Sequence, residues 1–213
     1  MKFLMPFCLV IAIAQSAVSQ TAANKKSHYV FPEFINGTVK LKSGIKHEAL
    51  LNYNTILESM VISPKGAPMV TLSDLENVEA VYINDRKFIP SGNIFYEVVA
   101  NEKLPYFIHY TCKAVAPGEA IGYGATSQLT NTSASVVKEL ARFYYMKLPE
   151  NYTITPISNI IVVKDDKYIN LNNYKKVAAV FPGKEALIKS FVKENKTDFN
   201  NAEDVKKLLQ VVQ

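Results

Sequence analysis

Between Val39 and Lys113 the chain reverses direction so often that only short strands fit. Val39 and Leu41 alternate with Lys40 and Lys42 before Ser43-Gly44, a period of two running into a hairpin turn. Residues 45–53 return, Asn54-Thr55 turns again into 56–62, and Pro64-Lys65-Gly66-Ala67-Pro68 breaks the pattern. Further strands are predicted at 69–72, 80–83, 87–89, 94–99 and 104–113, with Asn84-Asp85 and Ser91-Gly92-Asn93 as turns between some of them. No long helical period interrupts this region. Short strands with short turns predict an antiparallel meander, curled into a small barrel or packed as a sandwich.

The character changes after Ala114. Pro117-Gly118, Gly122-Tyr123-Gly124 and the polar run 126–135 predict a long loop. A strand is expected at 143–148, and 157–163 with 167–171 read as a hairpin around Asp165-Asp166. Helices close the chain. Residues 175–181 stop at Pro182-Gly183, and 184–194 place Leu187, Ile188, Phe191 and Val192 on one face. Val205, Leu208, Leu209 and Val212 fall at i, i+3, i+4 and i+7, with Asn200 and Glu203 spaced as a capping box. The expected fold class is therefore α+β, mainly an antiparallel β meander with two or three C-terminal helices. Its segments are a β domain over 28–115, a loop over 116–138, and a β-hairpin plus helical region over 139–213.

Residues 1–19 read as a secretory signal peptide. Met1-Lys2 precedes an apolar run to Ala14, and Ala17-Val18-Ser19 offers a cleavage site before Gln20. An alternative cut follows Ala12-Ile13-Ala14, before Gln15. The apolar run is shorter than the roughly 20 residues a membrane span requires, and no second run reaches that length. The expected destination is the periplasm or the medium. Cys8 is followed by Leu9-Val10-Ile11, which is no lipoprotein junction, so it leaves with the leader. Cys112 then stands alone, without an internal disulfide partner. Loss of Lys2 lowers the formal charge from +5 to +4. The remaining lysines are scattered, unlike the concentrated basic face of a nucleic-acid binder, so no nucleic-acid partner is expected.

Signatures of chemistry are sparse. Cys112 and His109 are the one nucleophile–base pair close in sequence, and positions i and i+3 of a strand face opposite ways. His28, His47 and His109 are far apart and have no metal-ligand spacing. The glycines at 118, 122 and 124 lack a following helix to make a phosphate cradle. No catalytic residue, metal or cofactor is assigned. Aromatics cluster at Tyr29, Phe31 and Phe34, at Phe143-Tyr144-Tyr145, and at Tyr123, residue types that pair an apolar body with a polar tip. Asn-x-Ser/Thr sequons begin at Asn36, Asn131, Asn151 and Asn195.

Several stretches carry a resemblance. Phe34-Ile35-Asn36-Gly37-Thr38-Val39, Ala49-Leu50-Leu51-Asn52-Tyr53-Asn54 and Met60 resemble the start of a family of uncharacterised exported proteins of Bacteroidota-type bacteria. Ala116-Pro117-Gly118 and Gly122-Tyr123-Gly124-Ala125-Thr126-Ser127 are similar to its mid-chain loop. Phe181-Pro182-Gly183-Lys184, Phe191-Val192-Lys193-Glu194-Asn195 and Asn201-Ala202-Glu203-Asp204 resemble its helical tail. The chain departs at Gly183, where the family has Asp, and in a shorter loop after Ser127. The resemblance implies a Gram-negative envelope, where the sequons have no role, and it brings no activity. Loops on a rigid scaffold often hold function. Gly122, Tyr123, Gly124 and Ser127 are accordingly the candidate ligand contacts, together with Tyr53. The expected role is a non-enzymatic binding or interaction module with an envelope protein or glycan partner. The alternative is a hydrolase of envelope or dietary polymers.

Overall fold

The computed structural model describes residues 27–99, 104–116, 119–121, 125–127, 134–144, 146, 148, 152–165 and 167–213. Its strands are β1 Ile35–Leu41, β2 Lys46–Asn54, β3 Ser59–Ile62, β4 Val70–Thr71, β5 Val78–Ile83, β6 Arg86–Ser91, β7 Ile94–Val99, β8 Tyr106–Val115, β9 Glu119–Ile121, β10 Ala125–Ser127, β11 Thr153–Lys164 and β12 Lys167–Asn170. Its helices are α1 Ala134–Phe143, α2 Tyr174–Val180, α3 Glu185–Asn195 and α4 Ala202–Val212. Ten strands form one antiparallel sheet in the order β12-β11-β8-β7-β6-β5-β1-β2-β3-β4, and β9 with β10 forms a second, two-stranded sheet. The fold is α+β and mainly a β meander, as the alternating pattern predicts. The large sheet curls but does not close into a barrel, since its end strands β12 and β4 do not pair.

Curling gives the inner face two ways to be buried. On one side it wraps on itself around Phe31, Val39, Leu51, Tyr53, Met60, Val81, Ile83, Phe88 and Phe95. Gly37 permits the close wrap of β1 on β5: a Cβ there would lie 2.5 Å from the Tyr82 carbonyl oxygen. On the other side β8 and β11 present Tyr106, Ile108, Ile160 and Val162 to the C-terminal helices, with Ile169 of β12 packed beside them. Val177, Ile188, Val205, Leu208, Leu209 and Val212 cover them there. The i, i+3, i+4, i+7 stripe of α4 is thus a buried stripe. Tyr110 borders both cores.

Several sequence expectations are corrected. Residue 143 ends helix α1 instead of opening a strand. The aromatic run there favours β locally, but Val137 and Ala141, one turn apart, bury helix α1 against Ile56 and Leu57 of the β2–β3 tip. Helix α1 also begins inside the stretch assigned to loop, which contains β9 and β10 as well. The 139–213 segment contributes β11 to the large sheet. β11 pairs with β8 from Thr153↔Val115 to Val162↔Tyr106 and continues the same sheet. Finally, α4 is capped by Asn201, whose side chain accepts the Glu203 N–H at 3.0 Å. The Asn200 carbonyl is engaged elsewhere, by the Ser158 N–H at 2.8 Å.

Candidate functional site

The site grows from a fork in the sheet. The β7–β8 ladder ends at Glu97↔Ile108, although β7 starts three residues earlier at Ile94 and β8 runs on to Val115. Splayed strands leave backbone groups without ladder partners, which is costly when buried. The β2–β3 tip fills the opening. The Tyr53 hydroxyl lies 3.3 Å from the Phe95 carbonyl oxygen and 3.0 Å from that of Tyr110. The Phe95 N–H donates to the Glu58 carbonyl at 3.3 Å.

Local chemistry shapes the tip. The Asn54 carboxamide oxygen accepts the N–H groups of Ile56 and Leu57 at 3.0 and 3.1 Å, an Asx turn that starts the reversal. Glu58 completes it in the left-handed region, at φ 55°. That region suits Gly or Asn, and a glutamate held there carries backbone strain that its surroundings must sustain. The sustaining contacts are two: His109 Nε2 lies 2.7 Å from Glu58 Oε2, and Lys138 Nζ donates to Glu58 Oε1 at 2.7 Å. Glu58 thereby ties β8 and α1 to the tip. Burial raises the carboxyl pKa, but the hydrogen bonds and charges of His109 and Lys138 outweigh it and hold the group below the usual carboxylate value.

Next to this polar trio stands an aromatic one. Phe107 and His109 share the face of β8 opposite Tyr106, Ile108 and Tyr110. The Tyr96 ring meets His109 edge-on at 5.4 Å. It also lies nearly parallel to Tyr168 of β12, at 6.1 Å and 15°. Phe107 stands 6.2 Å from Tyr96 and 6.0 Å from Tyr168. These rings belong to the outer face of the sheet, which none of the C-terminal helices covers. Tyr168 is 57% exposed and its cross-strand neighbour Val163 40%. Ile161, on that same face, is only 5% exposed. An antiparallel sheet usually sets polar residues on its solvent face; this one sets an aromatic cluster beside Glu58, His109 and Lys138.

Two other features flank the fork. A cavity of about 840 Å³ opens where the curl fails to close, between Thr71–Glu76 and the β6–β7 turn, over a floor of Leu57, Ser59 and Val78. Its charged groups are partly engaged: Glu79 pairs with Lys40 at 2.6 Å and Asp74 accepts from Asn77 at 2.8 Å. On the inner face Arg86 grips Glu97 with two bonds, at 2.8 and 2.7 Å, and donates to the Tyr110 hydroxyl at 2.9 Å. Its guanidinium lies over the Phe31, Phe88 and Tyr110 rings at 4.6, 5.2 and 5.3 Å. Burial opposes its charge, but Glu97 and Tyr110 keep Arg86 more firmly protonated than usual. This cluster seals the two cores where they meet.

Tyr53 is fully buried in the core, its hydroxyl spent on the fork. Gly122, Tyr123 and Gly124 lie outside the described residues, and Ser127 ends β10 opposite Glu119 in the separate small sheet. His109 is engaged with Glu58, while Cys112 contacts the α1–tip cluster and Thr55. Burial pushes the Cys112 thiol pKa up, away from a reactive thiolate. Tyr29, from the first aromatic cluster, donates to the Met146 carbonyl at 2.8 Å. Among the described residues no group of three or more His, Cys, Asp or Glu could hold a metal ion, and no helix is long and apolar enough to cross a membrane. A sequence signal for the outer face exists in retrospect. β7 and the first half of β8 carry large apolar or aromatic residues at both parities, a pattern of strands covered on both faces.

Comparison with family models, with curated proteins and with solved structures finds no match for this chain.

Proposed function

We propose that the chain is an exported cell-envelope protein acting as a non-enzymatic binding module, with the outer aromatic face as its recognition surface. The observation that carries this reading is the Tyr96–Phe107–Tyr168 patch, half-buried at Tyr96 and Phe107 and exposed at Tyr168, bordered by the Glu58–His109–Lys138 trio. Exposed aromatic patches rimmed by polar groups are characteristic of interaction sites. The sheet edges support the face in preference to strand addition. β4 is two residues long, and β12 is four residues long and opens with Lys167, both ways of blunting an edge. The leader-like residues 1–19 and the resemblance to exported proteins support the envelope setting.

Co-sedimentation with purified insoluble envelope material tests the reading. Wild-type protein is expected in the pellet and a Y96A/F107A/Y168A variant of unchanged melting temperature in the supernatant. Equal sedimentation of the two, or none by the wild type, overturns it. N-terminal sequencing of protein recovered from the periplasm or medium is expected to start at Gln20 or Gln15.

A hydrolase of envelope or dietary polymers is the second reading, favoured by the Glu58–His109 contact. A carboxylate beside a histidine is the orienting half of a nucleophilic site. Cys112, the nucleophile nearest in sequence, is hydrogen-bonded to Thr55 and raised in pKa by burial. Polymer turnover that H109A abolishes while sedimentation persists would favour this reading over the first.

A further inference from the structure

We infer that the outer aromatic face binds an acidic polysaccharide, one whose pyranose rings carry carboxylates. This rests on the reading of that face as the recognition surface and specifies what it recognises. Three features of the surface select the ligand.

The first is aromatic surface. Tyr96 and Tyr168 are stacked at 15° and Phe107 is tilted 52° and 42° to them, with mutual centroid distances of 6.0 to 6.2 Å. Tyr168, 57% exposed, offers solvent an apolar ring with a polar tip. That division suits the C–H face of a pyranose, which is apolar and framed by polar substituents.

The second is charge. Lys87 pairs across strands with Val98, and Val98 with Phe107, so Lys87 and Phe107 share a row on this face. Lys138 borders the opposite side, its side chain 36% exposed. An ammonium has three donors, and Glu58 occupies one of those on Lys138. The Glu58 carboxylate, the one anion of the trio, has both oxygens hydrogen-bonded by His109 and Lys138. A ligand carboxylate approaching the rings therefore meets two cations and a neutralised anion. The formal net charge, +5 for the whole chain and +4 without Lys2, draws a polyanion toward the chain from further away.

The third is convergence. The rings rise from β7, β8 and β12, with β11 between the last two, yet all three centroids lie within 6.2 Å of one another. The cluster is the size of one sugar ring, so a single residue of the polymer meets the aromatics while its neighbours extend over the sheet toward Lys87.

Calorimetric titration of the whole chain decides the matter, with oligogalacturonate as the acidic glycan, malto-oligosaccharides as the neutral one and polyglutamate as the acidic peptide. Oligogalacturonate is expected to bind and malto-oligosaccharides to bind at least about tenfold more weakly, a difference of about 1.4 kcal/mol. Affinity is expected to fall in Y168A, F107A and K87E at unchanged melting temperature, and to weaken as salt is raised. Equal affinity for the neutral sugar overturns the acidic assignment. Binding of polyglutamate alone overturns the glycan assignment, as does Tyr168-dependent self-association, which would make a second copy the occupant. Silence from every probe overturns the inference as well. The broader reading of the face then stands or falls separately, on sedimentation with envelope material.

Discussion

Glu58 is the residue whose placement is hardest to explain by stability alone. Its left-handed backbone would suit glycine, and its side chain holds β8 and α1 at once. Strain of this kind costs about 1–3 kcal/mol, of the same order as the two charge-assisted hydrogen bonds that offset it. Glu58→Gly relieves the strain while losing the bonds. Its stability in urea is expected to lie within about 1 kcal/mol of wild type, with a marked loss of binding by the outer face. A loss of several kcal/mol would show instead that Glu58 is there to stabilise the fold. Nothing in the sequence around Glu58 announces this role. Asn54-Thr55 is legible as a turn, but His109 and Lys138 lie 51 and 80 positions away. Only the three-dimensional fork brings them together.

Among the elements, the periodic ones were the most legible. β7 runs over Ile94–Val99 as its apolar run after the Ser91-Gly92-Asn93 turn implies, and the apolar stripe of α4 is buried as its spacing requires. Helix α1 was hidden for a physical reason. Its stabilising contacts are with Ile56 and Leu57, far off in sequence, while its own C-terminal residues favour strand. The β2–β3 tip is consequently the element on which the site depends. Asn54 caps its first turn and donates to the Met146 carbonyl at 3.3 Å, the same oxygen that accepts from His28 at 2.9 Å and Tyr29 at 2.8 Å. Asn54→Ala leaves the N–H groups of Ile56 and Leu57 unsatisfied in a buried setting. A cost of about 1–3 kcal/mol per lost partner is expected. Hydrogen exchange should localise the loosening to the tip and α1, and uniform loosening of the sheet would contradict this view of the tip.

For the whole molecule, acid is the informative perturbation. Burial lowers the pKa of His28, opposed by its bond to Met146, so the unfolded chain takes up that proton first, near the ordinary 6.5. Stability therefore falls as pH drops through 6.5 toward the lower folded value. Glu58 acts further down: its contribution is full above the ordinary 4.5 and is lost as pH falls through its depressed folded value. Melting temperatures from pH 7 to 3 should decline in two stages, and His28→Gln should flatten only the first. A first stage that survives in the variant would assign it to another group.

The outer face is also a property of the whole molecule, since its rings come from strands that the meander brings side by side. β7 and the first half of β8 carried a trace of it, in apolar residues at both parities. The partner strand β12 and the trio at the fork had no local signature. Of the candidates drawn from the mid-chain loop, Ser127 lies on β10 of the small sheet, and Gly122, Tyr123 and Gly124 lie outside the described residues. Mapping oligogalacturonate binding by amide chemical shifts separates these possibilities most directly. Perturbations are expected at Tyr96, Phe107, His109, Val163 and Tyr168. Perturbations confined to residues 117–130, or to the cavity residues Thr71, Asp74 and Gly92, would contradict the assignment of recognition to the outer aromatic face.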